Sequence, residues 1–393
     1  MIPTKARLLI AALLVTGIMA CDSTSHRADY GMTRHDYARM PGSANAMLAA
    51  ARARRINLFG EIQDGPNSVY YTRSTVSLRQ HSFTGIGDDA DPDLDSTGRR
   101  MVFSSTRHNQ NPNLYIKNVN GVAVTMLTGD PASDIQPAWS PDDQKVAFAS
   151  NRSGNWDIWI IGAGGGQPIQ VTSGPSEDVH PSWSPDGSQL VYCSLPPQGG
   201  QWELWIADSV AGGSNQFVGY GLFPEWSPAG STIAFQRARE RGSRWFSIWT
   251  VTLVDGEPRY PTEVAADWQQ SMILPTWSPE GDRLAFASVP GVSGDSPDAT
   301  TVIGNFDIWM VNADGSGRMR LTDGYASSYA PVFGADGRVF FTSSRVGQEN
   351  IWSQLPATPW QSGSMPTAVT RQRPAPDSND RGARPTSAMS IVD

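Results

Sequence analysis

Short apolar runs rich in β-branched and aromatic residues recur along most of the chain, as in buried β-strands. One set contains aliphatic and aromatic residues in turn, as in 146–150 and 284–288. A second set carries Asp-Ile-Trp or a close variant, as in 157–159 and 307–309. Pro, Asp and Gly separate the runs and favour turns, so the pattern predicts many short antiparallel strands.

A turn motif precedes most of the alternating runs and sets the period of the chain. Its fullest copy is Pro-Ser-Trp-Ser-Pro-Asp-Gly at 181–187. The first proline of the motif, termed the anchoring proline, recurs at intervals of 43 to 56 residues as Pro92, Pro137, Pro181, Pro224, Pro275 and Pro331. Six units of this length predict an all-β fold, a six-bladed β-propeller of four-stranded antiparallel blades.

The repeat also contains Ser-x-Arg after its second strand and Leu-Thr near its end, and it resembles the TolB-type β-propeller across residues 67–370. TolB is a soluble periplasmic protein of the Tol-Pal envelope system, so the resemblance implies envelope partners. Related repeats also occur in propellers attached to peptidases and polysaccharide lyases. About forty-five residues lie between the leader and the first strand. That is too few for the α/β domain that TolB carries ahead of its propeller.

The first residues have the pattern of a bacterial lipoprotein leader. Lys5 and Arg7 precede an apolar run, and the small residue Ala20 stands immediately before Cys21. The run is too short to span a membrane and suits a signal peptide. Residues 1–20 are therefore predicted to be cleaved, and acylated Cys21 to hold the protein at the periplasmic side of the inner or outer membrane. An ordinary secretory signal is the alternative.

The segments beside the propeller lack its strand pattern. Residues 21–66 are predicted to be a tether, with a short alanine-rich helix at 44–55, and residues 371–393 a disordered tail. Two segments compete to close the ring. The N-terminal one would place Phe83-Thr84 as the outermost strand of the last blade, and the C-terminal one would use 368–370.

Charge and cysteine content narrow the functional class. The net charge is −8, and loss of the two basic leader residues makes it −10, which gives no electrostatic basis for binding nucleic acid. With Cys21 acylated, Cys193 has no partner for an intramolecular disulfide and is predicted to be a buried small hydrophobe. The protein is expected to be monomeric.

Catalytic and metal-binding motifs are missing from the sequence. It contains no His-Glu-x-x-His, no paired cysteines and no Gly-x-Ser-x-Gly, so no cofactor, metal or hydrolase site is predicted. Asp91, Asp93 and Asp95 alternate like a calcium loop, but Ser96 stands where that loop needs glycine. They are interpreted as a degenerate blade turn.

Antiparallel topology locates a candidate recognition surface. Residues just before each anchoring proline share a face with the loops between second and third strands, and loops on a rigid scaffold carry recognition. The residues predicted around this channel mouth are Asp89, Asp134, Gln136, Asp178, His180, Tyr220, Phe223, Met272, Leu274 and Tyr329. Arg107 and Arg152 are expected to pair with nearby aspartates. At the position where an aspartate would pair with Arg237, blade 4 has Gly221. Arg237 is therefore a further recognition candidate.

These observations predict a noncatalytic scaffold that binds envelope proteins. The alternative is a carbohydrate-active propeller, lyase-like or glycan-binding, that uses the central channel. A lyase would need basic and metal-binding side chains at the channel mouth, where His180 is the one histidine expected. A glycan platform would need exposed tryptophans, and Trp156, Trp202, Trp245 and Trp268 lie off the repeat positions.

Overall fold

A computed structural model describes residues 77–238, 246–267, 269–290 and 305–356. These ranges contain twenty-four strands in six four-stranded antiparallel sheets, with no helix among their elements. The six-bladed propeller predicted from the repeat is confirmed. The predicted signal peptide, tether, short helix and tail lie outside the described residues.

Each blade is a meander that runs outward from the central channel. The inner strands are β2 (Asp89–Leu94), β6 (Asp134–Trp139), β10 (Glu177–Trp183), β14 (Leu222–Trp226), β18 (Gln270–Trp277) and β22 (Ser328–Phe333). The second strands are β3 (Arg100–Ser105), β7 (Lys145–Ser150), β11 (Gln189–Leu195), β15 (Thr232–Ala238), β19 (Arg283–Pro290) and β23 (Val339–Ser343). The third strands are β4 (Asn113–Asn118), β8 (Asp157–Gly162), β12 (Glu203–Asp208), β16 (Phe246–Val254), β20 (Asp307–Asn312) and β24 (Asn350–Gln354). The outermost strands are β5 (Val124–Met126), β9 (Ile169–Gln170), β13 (Asn215–Tyr220), β17 (Glu257–Ala265), β21 (Met319–Arg320) and β1 (Arg79–Gln80).

The N-terminal segment closes the ring. Strand β1 pairs antiparallel with β24 and completes blade 6, whose other three strands come from the C-terminal end of the propeller. Of the two closures left open by the sequence, the N-terminal one is therefore the one formed. The competing segment 368–370 lies outside the described residues. Closure between distant parts of the chain completes the last blade and leaves only a short sheet edge there.

The closing strand lies four residues earlier than the predicted Phe83-Thr84. In blade 2 the hydroxyl of Thr172 accepts the backbone N–H of Ile158 at 2.9 Å, just after β9 ends. Ser82 makes the same bond with the N–H of Ile351 at 2.9 Å. Ser82, rather than Thr84, is thus the counterpart of Thr172, and Phe83 is an exposed loop residue.

Every anchoring proline follows a residue in the left-handed backbone region. The residues with this conformation are Asp91, Gln136, His180, Phe223, Leu274 and Ala330, with φ between 49° and 57°. At each of these places the inner strand shifts register against the second strand, which marks a β-bulge. A left-handed conformation costs a non-glycine residue about 1 kcal/mol or more. The ring therefore holds six strained bulges around its channel.

The core lies between the blades, where the second strands are buried on both of their sides. Phe103, Phe148 and Phe286 occupy the same place in three blades and have no exposed surface. Burying an aromatic or aliphatic side chain of this size contributes about 1.5–3 kcal/mol. Cys193 is buried as predicted, and its Sγ also accepts the N–H of Phe223 at 3.4 Å.

The ring has two chemically different faces. The turn face carries the turns between first and second strands, such as 184–187, and the loop face carries the loops between second and third strands, such as 196–202. Both described ends of the propeller lie on the turn face. Ser77 Oγ donates to the carbonyl of Leu355 at 3.0 Å, and the carbonyl of Ser77 accepts from Arg338 in a turn of blade 6 at 2.8 Å.

Candidate functional site

Blades 1 and 2 repeat one ion-pair network at the start of the inner strand. In blade 1, Arg107 Nη2 lies 2.8 and 2.7 Å from the two carboxylate oxygens of Asp89. In blade 2, Arg152 Nη2 lies 2.9 Å from Asp134 Oδ1 and 2.9 Å from Asp130 Oδ2. Both inner-strand aspartates are fully buried. The predicted pairing of Arg107 and Arg152 with aspartates is confirmed, and it assigns these residues a structural role.

Aromatic rings complete this arrangement. The guanidinium carbon of Arg107 lies 5.2 Å from the ring centre of Phe103 and 5.3 Å from that of Tyr115. That of Arg152 lies 5.3 Å from Phe148 and 5.0 Å from Trp159. These distances allow cation–π attraction, which adds to the ion pair.

Blade 3 keeps the carboxylate of this network and lacks its arginine. Asp178 occupies the place of Asp89, and Ser194 Oγ donates to Asp178 Oδ1 at 2.6 Å. Pro196 stands where Arg107 and Arg152 stand in the neighbouring blades. Burial raises the pKa of Asp178 to about 6, and the charges of Asp157 and Glu177 add to that rise.

An aromatic row leads outward from this carboxylate. Trp205 lies 5.5 Å from Phe217 between ring centres, and Phe217 lies 5.4 Å from Tyr220, both edge to face. Phe217 and Tyr220 are 40% and 48% exposed. Tyr220 is the last residue of the outermost strand β13, so the structure places it at the periphery of blade 3 rather than at the channel mouth.

The central channel is lined by the inner strands and carries carboxyl groups from blades on opposite sides. Burial raises the pKa of Asp93 in blade 1 to about 7. Burial also raises the pKa of Glu225 in blade 4 to about 8, and the charge of Asp93 contributes. Blades 1 and 4 oppose one another in a six-bladed ring, so the effect of Asp93 on Glu225 indicates a narrow channel.

Two further titratable groups lie beside the anchoring prolines in this channel. Burial raises the pKa of Asp91 to about 6, although hydrogen bonds from Ser104 and from the backbone of Gln136 oppose the rise. Burial lowers the pKa of His180 to about 4, so its imidazole is neutral at physiological pH. The ring of His180 packs edge to face on Phe223 with 4.8 Å between centres.

The remaining predicted residues are mostly buried. Gln136 Oε1 accepts the N–H of His180 at 3.0 Å and so links blades 2 and 3. Of the apolar candidates, Phe223, Met272, Leu274 and Tyr329 are each at most 8% exposed and pack in the core. As placed, these side chains offer little surface to a partner.

Arg237 and the tryptophans differ in placement from the sequence expectation. Arg237 lies within β15, with its guanidinium carbon 5.3 Å from the ring centre of Trp249. A Cβ at Gly221 would approach Phe235 to 2.5 Å, so no aspartate fits opposite Arg237. Trp202 is buried and Trp156 is half-buried against the core, and neither provides an exposed platform for a sugar. Trp245 and Trp268 lie outside the described residues.

The sequence reasoning missed an apolar surface at the closure of the ring. Phe83, Ile86, Tyr325 and Val346 lie on loop-face connections of blades 5, 6 and 1 and are between 51% and 76% exposed. Gln348 donates to the carbonyl of Gly85 at 3.4 Å, and the guanidinium carbon of Arg345 lies 5.2 Å from the Tyr325 ring, so these connections touch. The four residues are termed the closure patch. The sequence did not predict this patch, because its residues are single apolar residues in separate loops and lie together only when the position of the closing strand is known.

The described ranges show neither a metal centre nor a membrane span. No group of three or more His, Cys, Asp or Glu side chains in them is arranged to hold a metal ion. Asp95, from the aspartate run, instead bonds Arg100 at 2.8 Å. No helix in the same ranges has the length and apolar character needed to cross a membrane.

Comparison with known proteins places this geometry in context. Residues 89–260 match the family model described as the TolB beta propeller domain. The solved structure of a putative TolB from Agrobacterium tumefaciens is 21% identical, with a TM-score of 0.50 over 69% of this chain and 91% of that one. Oligogalacturonate lyase from Vibrio parahaemolyticus is 15% identical, with a TM-score of 0.50 over 74% and 96%. A gluconolactonase from Xanthomonas campestris is 13% identical, with a TM-score of 0.50 over 71% and 89%. At these identities the likeness to solved structures shows the fold alone.

Proposed function

Because this chain contains a β-propeller of the TolB type, we propose that it acts as a noncatalytic scaffold that binds proteins in the bacterial envelope. The observation that carries the proposal is the closure patch. Exposed apolar surface grouped on one face of a soluble propeller is typical of a protein-binding site. Its four residues share the loop face with Tyr220, where loops of a rigid scaffold present recognition residues.

The direction of the chain ends supports a tethered arrangement. Ser77 and Leu355 meet on the turn face, so the segment that carries Cys21 leaves from that side. On the lipoprotein hypothesis, acyl chains at Cys21 hold the protein at the periplasmic side of the inner or outer membrane. The loop face lies opposite the chain ends and is left free for a partner in the periplasm.

Site-directed photocrosslinking tests the proposal. A photoreactive phenylalanine analogue is placed at Phe83 or Tyr325 on the loop face, and at the exposed Val122 or Val210 on the turn face as matched controls. Crosslinking in intact envelopes is read by mass spectrometry. We expect the same envelope protein from both loop-face positions and its absence from both controls. Equal recovery from the turn face, or no protein from the loop face, would overturn the proposal.

A carbohydrate-active role in the channel is the second candidate. The likeness in fold to oligogalacturonate lyase favours it, since that enzyme shares the propeller architecture. The chemistry of this channel opposes it for an anionic sugar, because Asp91 is mostly ionised and Asp93 partly ionised at neutral pH, and both would repel carboxylates of the substrate. Incubation of purified protein with oligogalacturonate, monitored by the ultraviolet absorbance of the unsaturated product, separates the two. Turnover that is lost in Asp93→Asn would establish the enzyme and displace the scaffold.

A further inference from the structure

Blade 3 repeats most of the arginine site of blade 2, but it lacks the arginine and has Gly174 at the place of Asp130. The matching pairs are Asp134 and Asp178, Ser150 and Ser194, Phe148 and Tyr192, and Trp159 and Trp205. Asp178, Tyr192, Ser194 and Trp205 are termed the blade 3 site. Because the strand registers are the same, the blade 3 site presents a carboxylate and two aromatic rings in the geometry that holds a guanidinium in blade 2.

No cation among the described residues pairs with this carboxylate. Within the described residues, Asp178 forms no ion pair, and its hydrogen bonds come from the hydroxyls of Ser194 and Thr172. The other titratable groups around it are Asp157, Glu177 and Tyr192, none of which is basic. Asp157 adds a buried Oδ1 atom that has no hydrogen-bond partner. A positive group brought to this place would be attracted by several carboxylates.

The site lies at the loop-face end of blade 3, and its carboxylate is slightly less buried than those of blades 1 and 2. Asp178 is 5% exposed, whereas Asp89 and Asp134 are fully buried beneath their arginines. Trp205 is half-buried and contacts Phe217, the first member of the exposed aromatic row. Trp205 Nε1 donates to Glu203 Oε2 at 2.9 Å, which adds a further carboxylate at the entrance. Aromatic rings and acid groups therefore continue from the protein surface to Asp178.

We propose that the blade 3 site binds an arginine side chain of a partner protein, which takes the place that Arg152 takes in blade 2. The inference rests on the proposed protein-binding function and specifies the chemistry of the partner. A guanidinium is planar, stacks on aromatic faces and bonds a carboxylate with two N–H groups, whereas an ammonium is a compact, strongly hydrated charge. The internal occupant in blades 1 and 2 is arginine in both cases.

Saturation-transfer NMR on the whole protein tests this site without a known partner. The probe is N-acetyl-arginine amide, and the matched control probe is N-acetyl-citrulline amide, which has a similar shape and no charge. We expect signal from the arginine probe and at least about tenfold less from citrulline, because a buried carboxylate discriminates strongly for a paired charge. Signal from the arginine probe should also fall as acid protonates Asp178.

Two variants locate the binding. Pro196→Arg supplies an internal guanidinium and should remove the probe signal while the protein stays folded. Asp178→Asn should reduce it at least about tenfold. Equal signals from both probes, or an unchanged arginine signal in Pro196→Arg, would overturn the proposal. If the arginine probe binds but no envelope protein is crosslinked, the blade 3 site is supported and the proposed scaffold function is wrong. If an envelope protein is crosslinked but the probe does not bind, the scaffold function is supported and the blade 3 site is wrong.

Discussion

Asp134 in blade 2 and Asp178 in blade 3 begin inner strands at the same position but in opposite electrostatic surroundings. Asp134 is fully buried with Arg152 at 2.9 Å. Asp178 has the serine bond that Asp89 has in blade 1, has Pro196 where the arginine stands, and has a pKa raised to about 6. One residue at the end of a second strand accounts for the difference. The repeat thus gives each blade the same backbone geometry at this site, and a single side chain determines whether the carboxylate is paired.

The same contrast extends into the channel. Asp93 and Glu225 are also surrounded by protein, and in the described part of the chain neither has an ion-pair partner. A buried carboxylate costs free energy in its charged form, and the cost persists where no cation offsets it. Blades 1 and 2 use arginine to stabilise the fold. The unpaired carboxyl groups, in contrast, are available to respond to pH or to a cationic ligand.

Removing Arg152, the cation that pairs with Asp134, should have the largest effect on stability. Arg152→Ala leaves Asp134 buried without its guanidinium, and we expect the free energy of unfolding to fall by about 3–5 kcal/mol. Chemical denaturation near neutral pH measures the change. The double variant Asp134→Asn with Arg152→Ala should recover much of the loss, since no uncompensated charge remains. A single-variant loss below about 1 kcal/mol would show that the ion pair does not hold these blades.

Neutralising Asp178, which has no arginine partner, should change the free energy of unfolding in the opposite direction. The pKa of Asp178 rises from 3.8 to about 6 on folding, so the folded state binds the proton more tightly and this group lowers stability as pH rises from about 4 to above 6. Relative to the wild type, Asp178→Asn should therefore gain about 2–3 kcal/mol on going from about pH 4 to about pH 8. Denaturation at both pH values measures this gain. A difference between the proteins that does not change with pH would contradict the raised pKa.

The smallest expected effect concerns the channel pair. The charge of Asp93 helps to raise the pKa of Glu225, so Asp93→Asn should lower the pKa of Glu225 from about 8, by up to about one pH unit. Carboxyl ¹³C NMR through a pH titration reports this shift. Ser182→Ala, which removes a hydrogen bond from Glu225, should instead raise the pKa. An unchanged Glu225 titration in Asp93→Asn would mean that the two groups do not sense each other across the ring.

The regular part of the fold was predictable because the repeat is visible in single residues. Six anchoring prolines and the Asp-Ile-Trp segments located the inner and third strands. The outermost strand was harder to place, because a cap residue such as Thr172 follows the strand rather than belonging to it. The same effect accounts for two of the four residues by which β1 precedes the predicted Phe83-Thr84, and alignment of Thr84 instead of Ser82 with Thr172 accounts for the other two.

The candidate site was less predictable because it depends on backbone geometry that sequence does not reveal. A proline restricts the preceding residue away from the right-handed helical region, but that rule does not indicate the left-handed bulge seen at His180. Apolar residues placed at the channel mouth, such as Met272, turned inward to the core. The exception at Pro196, in contrast, could be read from the aligned repeats, because Arg107 and Arg152 mark its position.

The most direct measurement is the pKa of the Asp178 carboxyl in the wild type and in Pro196→Arg, by carboxyl ¹³C NMR. We expect a pKa of about 6 in the wild type and a lower pKa in the variant, where an internal guanidinium would pair with the carboxylate. A wild-type pKa close to the ordinary value of 3.8, or the same pKa in both proteins, would show that blade 3 does not hold an unpaired buried carboxylate.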